Sequence, residues 1–201
     1  MNYLAHCFLS GQNDDILFGN FVADGLKRTK TTLFTPMMLK GIELHRFIDH
    51  FTDTHPLVKQ SVRILREDQG KFSPVVIDMV FDHFLAMNWH LYSHESLEVY
   101  SKKTYKRLDA YLPFMPPNVL RMFDHMKEHN WFISYKEEKG MRQALTGLSK
   151  RTRFPSAMDT AWKEIKMHYD ELNAHFLAFF PELQWACSSL LTEIISDSES
   201  S

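Results

Sequence analysis

Residues 41–55 read GIELHRFIDHFTDTH, and this stretch decides the fold. Leu44, Phe47, Ile48 and Phe51 recur at the i, i+3, i+4, i+7 spacing of an apolar helix face. His45 and Asp49 are four apart, so they stack on one side of that helix, beside its apolar stripe. Asp53 continues their row one turn further, and Arg46 lies three before Asp49. The ordinary role of one such pair is a solvated ion pair. An imidazole, two carboxylates and a guanidinium bunched at the edge of a core face also suit a metal or phosphate site.

The rest of the chain supports a helical reading. In 201 residues there are 7 Gly and 8 Pro, which is sparse punctuation for long segments of helical period. Hydrophobic content of 44% and aromatic content of 13% describe a globular chain long enough for a proper core. The expectation is an all-α, single-domain helical bundle over residues 1–195, followed by a Ser/Asp/Glu tail over 196–201 with the composition of disorder. A formal net charge of −2 argues against a nucleic-acid partner. Cys7 and Cys187 lie far apart without CxxC spacing, which suits a reducing cytoplasm rather than a disulfide framework. The N-terminus lacks the basic region of a signal peptide, and no apolar run reaches the ~18–20 residues of a membrane span.

Pro, Gly and capping residues divide the chain further. Helices are expected over 14–26, from Pro36 to Pro56, over 57–69, from Ser73 to about Leu91, and over 94–112. Ser73 reads as an N-cap with Pro74 at the first helical position. Further helices are expected over 118–131 and 133–148, then a long one from Ser156 to Phe180 that Pro181 ends, and a last one over 183–195. Residues 27–35 and the basic stretch 149–155 read as loops. Trp131 and Tyr135, four apart, read as core.

A second polar cluster lies in the helix from Ser73. Asp78 and Asp82 are four apart beside Phe81, Leu85 and Trp89, and His83 follows. Two like charges at this spacing repel, more strongly in a low dielectric. A divalent cation would relieve them, because carboxylate oxygens are its natural ligands. His6 and Asp24 could complete a shell, although each alone has a simpler reading: a core histidine, and a helix-end residue before Gly25.

In order along the chain, several blocks then point to one family. They are MNYLAH at 1–6, GNFVAD at 19–24, Gly41 with His45, Arg46, Asp49, Asp53 and His55-Pro56, and Asp78 with Asp82, His83 and Trp89. Weaker echoes are Trp131 with Tyr135, Gly147 with Arg151, and His168 to Pro181. This set resembles the acyl carrier protein phosphodiesterases, divergent relatives of the HD-domain metal phosphohydrolases. The resemblance implies an HD-domain-like bundle that removes 4′-phosphopantetheine from a serine of holo-acyl carrier protein. It also implies a divalent cation, Mn²⁺ first and Mg²⁺ or another second.

The candidate metal residues are therefore His6, Asp24, His45, Asp49, Asp78, Asp82 and His83. Arg46, Asp49, Asp82 and His83 are the candidate catalytic residues, with Arg46 suited to a phosphoryl group. An acidic carrier protein would dock on a basic surface such as Arg63/Arg66, Lys102/Lys103/Lys106/Arg107 or Lys150/Arg151/Arg153. Two alternatives stay open: an HD-type phosphohydrolase of nucleotides or other small esters, and a helical protein that binds the carrier without turnover.

Overall fold

The computed structural model describes residues 1–26 and 31–199, with side chains through residue 196. The described residues are helical, with no strand among them. Helix α1 (Tyr3–Phe8) is short and lies between α2 (Asp14–Val22) and α6 (Ser73–Met87), with α3 (Pro36–Thr54) against α2. Helices α4 (Pro56–Ile64) and α5 (Arg66–Gln69) lead to α6, and α7 (Leu97–Asp109) packs on α2. Then come α8 (Pro117–Glu128), α9 (Trp131–Ser134), α10 (Glu138–Arg151), α11 (Trp162–Met167) and α12 (Tyr169–Glu199). Helix α12 closes the bundle against α3, α4 and α6.

The organising helix has local causes at both ends. The Thr35 side chain accepts from the Met38 N–H at 3.2 Å, and Pro36 supplies a first residue that needs no donor. At the other end Pro56 keeps His55 out of the helical region. His55 thus ends α3 and caps α4, its Nδ1 accepting from the Leu57 N–H at 3.3 Å. Leu44 and Ile48 are fully buried, while Phe47 and Phe51 pack at the core edge. A large aromatic core including Phe18, Phe21, Phe81, Phe84, Phe176 and Phe179 fills the bundle.

Helices α2 and α3 cross at Gly19 and Gly41. A Cβ on Gly41 would lie 2.8 Å from both Gly19 Cα and the Asn20 nitrogen, so neither position has room for a side chain. This contact places Asn20 beside His45, one turn beyond Gly41.

Several boundaries differ from the sequence expectation, each for a local reason. Pro181 does not end a helix; α12 runs through it from Tyr169 to Glu199. Buried Phe176, Phe179, Phe180, Leu183 and Cys187 hold both sides of the proline in one packed face, offsetting the lost backbone hydrogen bond. The helix expected from Ser156 is instead divided before Tyr169, where His168 leaves the helical conformation. The stretch 118–131 breaks because Asn130 turns left-handed at φ 42° and accepts from the Ser101 hydroxyl at 2.7 Å. The stretch 133–148 divides between α9 and α10, and α10 continues to Arg151, shortening the expected basic loop. Ser73 is not an N-cap; it lies in the first turn, and its hydroxyl donates to the Gly70 carbonyl at 2.6 Å. Helix α12 reaches Glu199, past residue 196 where a disordered tail is expected; 200 and 201 lie outside the described residues. Of the loop expected over 27–35, residues 27–30 likewise lie outside them.

Among the described residues, no helix is long and apolar enough to cross a membrane. Cys7 and Cys187 are both free and buried.

Candidate metal centre

Three helices bring their polar groups together at one end of the α2–α3 crossing. Helix α1 supplies His6, α3 supplies His45 and Asp49, and the turn Ala23–Gly25 after α2 supplies Asp24. His6 Nε2 lies 3.3 Å from Asp49 Oδ1. His45 Nε2 lies 3.2 Å from Asp49 Oδ2 and 3.2 Å from Asp24 Oδ1. The two imidazole rings stack with centroids 4.2 Å apart. One ligand atom from each of His6, His45 and Asp49 falls within 4.8 Å of the others. Both histidines are buried, Asp49 is 44% exposed, and Asp24 is 70% exposed at the rim.

The residue that organises this cluster is Asn20, to which the sequence reading assigned no role. It is fully buried in α2, and its amide donates to the His6 carbonyl and the Ser10 hydroxyl, both at 2.9 Å. That leaves Asn20 Oδ1 as an acceptor, 2.8 Å from His6 Nδ1 and 3.1 Å from His45 Nδ1. The Asn20 carbonyl, 2.9 Å from His45 Nδ1, is also only an acceptor. Both Nδ1 atoms must therefore carry the proton. In a neutral imidazole the lone pair is then on Nε2, facing a carboxylate oxygen. Two acceptors 3.2–3.3 Å apart need a cation or a proton between them. Metal-binding histidines are commonly held this way, their second nitrogen donating to a fixed oxygen. A signal was present in the sequence: one polar Asn within the apolar run Ile16–Val22.

The electrostatics fit this geometry. Burial keeps the His6 imidazole below its ordinary value, despite its hydrogen bond to Asp49. Burial also pushes His45 down, but the hydrogen bonds and charges of Asp24 and Asp49 outweigh it and lift it to about 9. Burial raises Asp49, but hydrogen bonds from His45 and His6 outweigh that and hold its carboxyl well below the usual range. The His45 hydrogen bond likewise lowers Asp24.

The other sequence candidates have different partners. Asp82 is fully buried, and its carboxylate accepts from the backbone N–H groups of Leu4 at 2.8 Å, Asn2 at 3.1 Å and Ala5 at 3.3 Å. It holds the N-terminal turn of α1, whose donors have no partners within the helix. Burial drives its pKa up to about 7, against the Met1 ammonium and these backbone donors. Asp78 pairs with the Met1 α-amino group at 2.7 Å. His83 points elsewhere: its Nδ1 donates to the Tyr135 carbonyl at 2.6 Å, so its Nε2 accepts from the Tyr169 hydroxyl at 2.7 Å. Arg46 is exposed on α3 next to His45 and makes no ion pair among the described residues. The structure thus brings His6, Asp24, His45 and Asp49 together, while Asp78 and Asp82 anchor the helix that carries His6.

Comparisons with known proteins cover most of the chain. A family model described as acyl carrier protein phosphodiesterase matches residues 1–183. Proteins named acyl carrier protein phosphodiesterase from Enterobacter sp. (strain 638) and Salmonella newport (strain SL254) are each 29% identical to it over 184 residues. Those alignments cover 91% of this chain and 95% of each relative. No solved structure matches the chain. With the match running from the first residue past the α1–α3 cluster and into the first half of α12, the chain belongs to the acyl carrier protein phosphodiesterase family.

Proposed function

We propose that this chain hydrolyses the phosphodiester joining 4′-phosphopantetheine to a serine of holo-acyl carrier protein, at a divalent cation bound by His6, His45 and Asp49. The observation that carries this reading is the Asn20 arrangement, which aims two imidazole lone pairs and a carboxylate at one point. The donor set of two imidazoles and carboxylate oxygen suits Mn²⁺, the metal implied by the resemblance, and Mg²⁺ is the second choice. A cation held there would make water a nucleophile at neutral pH and neutralise the phosphoryl oxygens.

The chain's own groups have separate tasks. Asp49 spans both imidazoles and holds their Nε2 atoms in register. Asp24, exposed at the rim and hydrogen-bonded to His45, is placed to take a proton at Oδ1 or to close the shell. Arg46 stands exposed beside His45, where its guanidinium can meet a phosphoryl oxygen. Asp78 and Asp82 act through α1, setting where His6 stands. The kinship with HD-domain phosphohydrolases belongs to this reading, supported by the His/Asp cluster on a helical bundle.

The carrier protein is acidic, so it requires a locally basic face on a chain of net charge −2. Of the three basic stretches, 102–107 is partly neutralised: Lys103 pairs with Glu95 and Arg107 with Asp14. Lys150, Arg151 and Arg153 at the end of α10, like Arg63 and Arg66, are exposed and make no ion pair among the described residues; the 150–153 set carries the larger positive charge, which favours it. The two free cysteines suit the cytoplasm, where we place the reaction.

Intact mass of holo-acyl carrier protein, incubated with the protein and Mn²⁺ or with chelator, tests the reading. Loss of one 4′-phosphopantetheine with Mn²⁺ only is expected. An unchanged mass with every divalent metal would overturn it and direct attention to nucleotide esters.

A further inference from the structure

A groove of about 340 Å³ opens between the start of α1 and α10, within the ~300–1,000 Å³ range of small-molecule sites. Its floor and walls come from the start of α1, from Met79 of α6, and from α9 and α10. Trp131, Ala144 and Leu148 give apolar wall, and Asn2 and Gln143 offer amide groups. None of these residues has a task in binding the metal.

The groove and the centre share helix α1. Asn2 and Tyr3 line it, and His6 lies one turn further along the same side of the helix. The Tyr3 ring stands 5.5 Å from Phe21 and 6.3 Å from Trp131. Its phenol is pushed up to about 12 by burial and by Asp24 of the centre, against the Arg151 guanidinium of the groove. Arg151 lines the groove, and its charge, like that of Asp24, acts on the Tyr3 hydroxyl.

Gly147 of α10 also lines the groove, and a Cβ built there would meet nothing within 4 Å. No neighbouring backbone requires a glycine at this helical position, in contrast to Gly19, Gly41 and Gly140, where a Cβ would strike backbone atoms. The space in front of Gly147 is open.

We propose that this groove takes the pantetheine arm of the carrier-protein substrate, with the phosphodiester at the Tyr3 end and Arg151 beside it. The assignment rests on the hydrolase reading for the identity of the ligand. The arm suits the walls: its methylenes and paired methyl groups would lie along Trp131, Ala144 and Leu148, and its two amides need the hydrogen-bonding groups of Asn2 and Gln143. With Arg151 lining it, the groove would let an acidic carrier dock on the basic face at 150–153 while its arm reaches inward.

The test is binding of free pantetheine and of 4′-phosphopantetheine to wild-type and Gly147→Leu protein, by calorimetry. Leucine favours a helix more than glycine does, so the variant should melt no lower than wild type. It should bind both ligands at least tenfold more weakly, whereas Arg151→Gln should weaken only 4′-phosphopantetheine. Equal binding of pantetheine by wild type and Gly147→Leu, or no binding by wild type, would overturn the assignment. A second readout needs no variant: pantetheine should shift the indole N–H resonance of Trp131, and a shift confined to Trp185 on α12 would overturn it. Activity separates the two readings. Equal cleavage of holo carrier protein by wild type and Gly147→Leu would remove the groove and keep the hydrolase. Groove binding without cleavage by wild type would do the reverse.

Discussion

Gly19 and Gly41 meet backbone to backbone where α2 crosses α3, and the residues next in line build the His/Asp cluster of the candidate metal site. A Cβ on Gly19 would lie 3.0 Å from Gly41 Cα, and one on Gly41 would lie 2.8 Å from the Asn20 nitrogen. Asn20 follows Gly19, and His45 follows Gly41 by one turn. Gly41→Ala should therefore move the helices apart, costing about 1–3 kcal/mol as overpacking does. Because the displacement separates Asn20 from His45, metal affinity should fall as well. Chemical denaturation and a metal titration of the variant check both effects.

Asp49 touches both imidazoles, so it should matter more for metal than for the fold. Mn²⁺ at about 100 times its dissociation constant should stabilise the wild-type protein by about 2.7 kcal/mol. Asp49→Asn should abolish that shift in melting temperature. It should also lower turnover by about 100-fold or more, beyond the 10–100-fold typical of outer partners. A metal-induced shift of wild-type size in the variant would exclude Asp49 as a ligand.

Asp82 should behave in the opposite way. Asp82→Ala would leave three backbone donors at the start of α1 without their acceptor, those of Leu4 and Ala5 buried and that of Asn2 part-buried, at about 1–3 kcal/mol for each buried group. A loss of about 3 kcal/mol or more is expected by urea denaturation with the metal removed. A variant as stable as wild type in chelator, yet inactive, would return Asp82 to the metal shell.

Asn20→Ala removes the acceptor of His6 Nδ1 and one of the two acceptors of His45 Nδ1, leaving the backbone carbonyl of residue 20. Metal affinity should drop by about 10–100-fold, the usual consequence of losing such a partner. Metal titration followed by isothermal calorimetry measures it, and an unchanged affinity would show that the imidazoles hold their orientation without Asn20.

The metal-free protein should lose stability as pH rises. His45 stands at about 9 in the folded chain, above the ordinary imidazole value of ~6.5, with Asp24 and Asp49 facing it and His6 stacked on it. A group raised on folding contributes fully below its unfolded value and loses that contribution as pH passes its folded value. Melting temperature in chelator should therefore fall between pH 6.5 and 9, and His45→Gln should flatten the fall. A wild-type melting temperature that rises over this interval would contradict the ion pairing seen here.

The all-α class was legible in the sparse Gly and Pro of the chain, and the bounds of α3 and the His45/Asp49 pair in residues 36–56, because helical period, caps and prolines act within one or two turns. His6 and Asp24 stood out through the blocks around them, and the structure sets them against Asp49 and His45. The partners of Asp82 and His83 were not. Asp82 reaches α1 across nearly eighty residues and His83 reaches Tyr135 across fifty-two, and no local pattern encodes such distances. Pro181 shows the same limit: a proline that locally reads as a stop is carried through by packing on either side. Asn20 is the clearest case. Alone it is one polar residue in an apolar run. Only the close crossing at Gly19 and Gly41 turns its two oxygens toward two histidines and so settles which ring nitrogens are free to bind.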